Sequence, residues 1–124
     1  MDRLEKTILK NLIYNEEFST KVIPFLKDEY FNDRIEKILF TEIFDFMTKY
    51  KKLPTHESLL IDITEKKSLS SQDVNDTIEL LGEIRANKED TTELEWLVDS
   101  TEKFCQDKAI YNAIMESVNI LDDS

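Results

Sequence analysis

Thr92-Glu-Leu-Glu-Trp-Leu-Val-Asp-Ser-Thr-Glu-Lys-Phe-Cys-Gln-Asp-Lys-Ala-Ile-Tyr-Asn-Ala-Ile-Met-Glu-Ser-Val-Asn-Ile-Leu121 runs without a glycine or a proline. Leu94, Leu97, Val98, Thr101, Phe104 and Cys105 recur at three- and four-residue spacing and draw one helical stripe. Ala109, Ile110, Ala113, Ile114, Val118 and Leu121 continue on an adjoining face. At 1.5 Å per residue such a helix spans about 45 Å, more than the rest of a domain this size can cover. Its second half needs another surface to lie on. Ile110, Ile114, Val118 and Leu121 share one face and are the candidate oligomer interface, because a contiguous exposed apolar patch is seldom left uncovered. The sequence stops at Asp122-Asp123-Ser124 with no clear helix end. It reads as a piece of a longer protein or as a chain that pairs through this helix.

Upstream, the pattern stays helical but the helices are shorter. Leu4, Ile8, Leu9, Leu12 and Ile13 place a first helix over Asp2–Tyr14. A short second helix carries Phe18, Val22, Ile23, Phe25 and Leu26, and Pro24 bends or ends it. A third helix, capped by Asn32, extends to Tyr50. Its apolar residues, Phe44 and Met47 among them, surround much of its circumference, which predicts a central, buried helix. Pro54 breaks the chain and Thr55 caps a fourth helix to about Lys66. Ser68–Ser71 caps a fifth, to Ala86, with an inner face of Val74, Ile78, Leu81 and Ile84. Gly82 within it weakens the helix and suggests a close approach by a neighbour. Asn87–Thr92 is a polar connection.

The expected fold is all-α: a compact orthogonal bundle of about five short helices over 1–90, followed by the long C-terminal helix over 91–124. Composition agrees. Of 124 residues, 40% are hydrophobic and 10% aromatic, enough for a core, and one glycine with two prolines is too few for a turn-rich β-fold.

The charge is −11 and unevenly spread. Residues 1–54 hold ten acids and ten bases, whereas 87–124 hold ten acids and three bases. Phosphate binding draws on clustered Lys and Arg, so direct nucleic-acid binding by this chain is not expected. The ordinary reading of the acids is that they solvate helix faces. No apolar run is long enough to cross a bilayer and no signal peptide opens the chain, so a cytoplasmic protein with no membrane contact is expected. One cysteine, Cys105, allows no intrachain disulfide and fits a reducing compartment.

Catalytic chemistry has no candidates. A chain with one glycine holds no phosphate loop. His56 is the single histidine and reads as an exposed residue in the first turn of the fourth helix. Cys105 lacks partners for a metal site and reads as a small core hydrophobe. Trp96 could serve as an interface anchor, but an aromatic at the head of an amphipathic helix reads more often as a partly buried core residue. Catalytic, cofactor-binding and metal-binding residues are all expected to be absent, and the isolated chain is expected neither to hydrolyse ATP nor to unwind DNA.

The order of local patterns carries a resemblance. Phe25-Leu-Lys-Asp-Glu-Tyr-Phe31 precedes Ile35-Glu-Lys-Ile-Leu-Phe-Thr-Glu-Ile43, and Lys52-Leu-Pro-Thr-His-Glu-Ser-Leu59 follows. With Ile8-Leu-Lys-Asn-Leu-Ile-Tyr-Asn15 at the start, this order resembles the N-terminal domain of DnaB-like replicative DNA helicases. Trp96-Leu-Val-Asp-Ser-Thr-Glu-Lys-Phe104 through Asp107-Lys-Ala-Ile-Tyr-Asn-Ala113 is similar to the corresponding helix of T-even-like bacteriophage helicases. The resemblance implies a helical head followed by a helical hairpin, of which this chain holds the first arm. It implies a collar above a hexameric motor ring that contacts primase or a helicase loader, with the ATPase in a separate domain. Two other readings stay open: a free-standing acidic adaptor or DNA-mimic inhibitor of a host protein, and the helicase-binding domain of a primase.

Overall fold

Five side chains start the main helices, and each does so by taking up backbone N–H groups that a helix leaves unbonded. The computed structural model describes residues 3–123, of which Asp123 is placed by its backbone alone. Asn15 Oδ1 accepts from the Phe18 N–H at 3.1 Å and opens α2 (Glu16–Val22), directly after α1 (Leu4–Tyr14). Asp33 Oδ1 accepts from Ile35 and Glu36 N–H at 2.9 and 3.0 Å and opens α3 (Arg34–Tyr50). The cap is therefore Asp33 and not Asn32; a carboxylate also answers the positive end of the helix dipole. Thr55 and Ser58 exchange two 3.0 Å bonds in a reciprocal box that starts α4 (His56–Glu65). Ser70 accepts from the Asp73 N–H to start α5 (Ser71–Ala86). The Glu93 carboxylate accepts from Glu95 and Trp96 N–H and starts the 30-residue α6 (Leu94–Asp123). The described residues hold no strand, so the chain is all-α.

Pro24 does not merely bend α2. The helix ends at Val22, and Ile23–Phe25 forms a single 3₁₀ turn around the proline, followed by a second one at Asp28–Tyr30. That second turn buries Tyr30 and delivers Phe31 to the centre of the molecule. The Phe31 ring stacks on Phe40 at 5.1 Å between centroids and meets Phe104 at 5.9 Å. One aromatic thus joins α3 to α6. Around it lie Ile8, Leu9 and Leu12 of α1, Leu39 and Ile43 of α3, Leu59 and Ile63 of α4, and Leu81 and Ile84 of α5, all inaccessible to solvent. The first half of α6 enters the same core through Leu97, Phe104 and Cys105, with Thr101 buried beside them.

Polar groups tie the helices at their edges. Arg34 grips Asp73 with two bonds of 2.7 and 3.2 Å, joining α3 to α5. Glu42 of α3 pairs with Lys66 past the end of α4. Arg3 donates to the buried Glu36 at 2.6 Å, and burial raises the Glu36 pKa while Arg3 opposes the rise. The buried Lys10 ammonium donates to the Asp90 carbonyl at 2.6 Å and fastens the connection before α6.

Five further expectations need correction. α3 buries one face, Glu36, Leu39, Phe40 and Ile43, with Met47 partly covered; Phe44 sits about 100° past Ile43 and is 40% exposed. The inner face of α5 runs through Asp73, Thr77, Leu80, Leu81 and Ile84, leaving Val74 and Ile78 only half-buried. Nothing lies within 4 Å of a Cβ built on Gly82, so no neighbour approaches it. Trp96 is exposed, while His56 is half-buried with its Nδ1 enclosed and unpartnered. Burial, and then Arg85 and Lys88, hold the His56 pKa below its ordinary value.

Candidate functional site

α6 changes character along its length. Through Cys105 it is a core helix; from Ala113 to Asp122 every residue is exposed. Beside the boundary, Asn112 Nδ2 donates to the Glu29 carbonyl at 3.3 Å. The helix continues because its residues favour it. No glycine or proline interrupts it, and Lys103–Asp107 adds an i,i+4 ion pair at 3.1 Å.

Ile110 is 61% exposed, Ile114 57%, Val118 42% and Leu121 73%. The four lie on one face, as the spacing predicts. Two large side chains join them that the sequence reading left out: Tyr111 and Met115, also exposed. Their signal was present, since Tyr111, Ile114, Val118 and Leu121 follow the 3-4-3 spacing of a packed helical seam. At about 100° per residue, this stripe is turned roughly a quarter of a circle from the face that Leu97, Thr101 and Phe104 bury. It is not a simple extension of the contact with the other helices. Such a surface can bind an apolar helix or groove.

Cys105 is buried, and burial, with Glu102 adding to it, pushes its thiol up to about 11. His56 and Cys105 are on separate helices, α4 and α6. Among the described residues no group of three His, Cys, Asp or Glu could hold a metal ion, and no helix is long and apolar enough to cross a membrane.

A second uncovered surface lies between the end of α2 and the C-terminal half of α3. Ile23, Pro24, Phe44, Met47 and Leu53 line a groove, together with the charged Glu16, Lys51 and Lys52. Lys51 ends α3 in the left-handed conformation, φ 59°, and its N–H bonds the Met47 carbonyl at 2.9 Å.

No protein-family model matches the chain. It is similar to a DnaB-like replicative helicase of Enterobacteria phage T4, with 28% identity over 113 residues. The match covers 91% of this chain but 23% of that protein, so the chain spans about a quarter of the relative's length. The similarity supports a helicase-related segment and runs through nearly all of the helices described above.

Proposed function

We propose that this chain is a non-catalytic assembly domain of a replicative DNA helicase. It forms part of an N-terminal collar and makes contacts with copies of itself and with primase or a helicase loader. The observation that carries the reading is the apolar face of α6, where Ile110, Ile114, Val118 and Leu121 lie exposed at one helical spacing. The similarity to a replicative helicase of phage T4 supports the same reading. A catalytic role in the parent protein falls to residues outside this segment. The net charge of −11 favours a second reading, an acidic adaptor that occupies a basic surface of another protein. Self-association through the α6 face is required by the first reading and not by the second.

The test is sedimentation of the wild-type chain and of the Ile110→Asp, Ile114→Asp double variant. Both positions are exposed, so the variant keeps its fold. A charge at a buried interface is costly, so it becomes monomeric where the wild type associates. A wild type that stays monomeric at high concentration removes the interface.

A further inference from the structure

Glu36 is 2% exposed, and its Oε2 is enclosed with no hydrogen-bond partner among the described residues. A buried acceptor left unpaired is costly, the more so when it is charged. Glu36 borders a cleft where the starts of α1 and α3 face the middle of α5. Five carboxylates and two cations line this cleft. Lys6 pairs with Glu83 at 3.2 Å, Arg3 bonds Glu36 Oε1, and Asp33 is engaged in capping α3. Asp76 accepts from the neutral Gln72 amide at 2.8 Å, and Glu79 has no hydrogen bond or ion pair among the described residues. Two carboxylates without a cation thus stand beside an open buried acceptor.

We infer that this cleft receives an arginine side chain of a partner protein, with Glu36 at its floor and Asp76 and Glu79 at its wall. Arg3 shows the chemistry that the cleft accepts. Its side chain is 49% exposed against 2% for Glu36, so the guanidinium stands on the solvent side of the carboxylate. It takes one Glu36 oxygen and divides its donors with Glu5, through bonds of 3.1 and 2.8 Å. An incoming guanidinium has a planar fork that can take both oxygens of one carboxylate and still offer N–H groups to others. An ammonium is a point charge and lacks that reach. A metal ion fits poorly, since no three acids among the described residues converge closely enough to hold one. Burial pushes the Glu36 carboxyl up, Arg3 opposes the rise, and Asp33 and Glu5 add to it, so a further cation is favoured there. The net charge of −11 draws a basic partner toward the chain. This surface is separate from the α6 face and does not depend on self-association.

The test is titration of the full chain with the blocked tripeptide acetyl-Gly-Arg-Gly-amide, followed by amide chemical shifts. Salt of about 150 mM screens distant surface charges. The peptide produces saturable shifts at Glu36, Asp76 and Glu79, and its lysine counterpart binds about fivefold more weakly or worse. Glu36→Gln weakens binding by about tenfold, as loss of one charge of a desolvated pair does. Glu79 is exposed, so Glu79→Gln keeps the fold and weakens binding by about threefold. Arg3→Ala strengthens binding, because the internal competitor is gone. An absence of saturable shifts in the cleft overturns the inference. Equal binding of the two peptides, or binding that survives both glutamine variants, assigns the effect to the general negative charge of the chain and overturns it too. Magnesium that displaces the peptide at equal concentration makes the cleft a metal site and has the same consequence. The readout is peptide binding, so it stands whether or not the chain self-associates.

Discussion

Asn112 and Glu29, 83 residues apart in sequence, meet through an amide-to-carbonyl hydrogen bond of 3.3 Å where α6 passes the second 3₁₀ turn. On one side of this point α6 is part of the core; on the other it is a helix with water around it. An isolated helix of about a dozen residues is marginal in water. Amide exchange in dilute solution is therefore slow from Leu97 to Cys105 and fast beyond Asn112. At concentrations where the chain associates, protection extends to Val118. Equal protection along the whole helix in the monomer would show that the distal half is covered by something within the chain.

The two phenylalanines of the central region separate core from surface. Phe31 is inaccessible and touches two other rings, whereas Phe44 is 40% exposed. Phe31→Ala costs about 3–5 kcal/mol, as large-to-small changes in a packed core do. Phe44→Ala costs about 1 kcal/mol or less, in line with surface positions. Urea unfolding of the two variants measures this, and a reversed order would show that the buried face of α3 is misassigned.

Arg34 holds the Asp73 carboxyl below its ordinary value, chiefly through the side-chain hydrogen bond. Because the folded-state pKa is the lower one, the pair's contribution is present above the ordinary aspartate value and is lost as pH falls through the folded-state value. Arg34→Gln is accordingly less stable than wild type at neutral pH, and the two stability curves converge on acidification. A difference that persists unchanged into acid would mean that Arg34 acts through packing alone.

Gly82 lies exposed in α5 with open space where a Cβ would go. Gly82→Ala raises stability by about 1 kcal/mol through helix propensity. A melting temperature that falls would reveal a contact at this position.

The sequence by itself determined the helices, their order and the lone length of α6, because apolar spacing, caps and the two prolines are local properties of the chain. Thr55 before His56, Pro24 after Val22 and the break-free run to Leu121 each act on neighbouring residues only. It also determined that Ile110, Ile114, Val118 and Leu121 share a face. The tertiary structure decided which apolar residues are covered. Phe44 and Phe40 are four apart and equally apolar, but the ring of Phe31, brought in by a turn, selects Phe40 for the core and leaves Phe44 at a groove. Val74 and Ile78 likewise yield to Thr77 and Leu80, because the rotation of α5 is set by α3 and α4, its packed neighbours. The groove itself, with Glu16, Lys51 and Lys52 among its lining residues, joins residues of α2 and α3 that no local pattern links. Burial depends on what a distant segment places opposite a side chain, and periodicity along one helix carries no record of that.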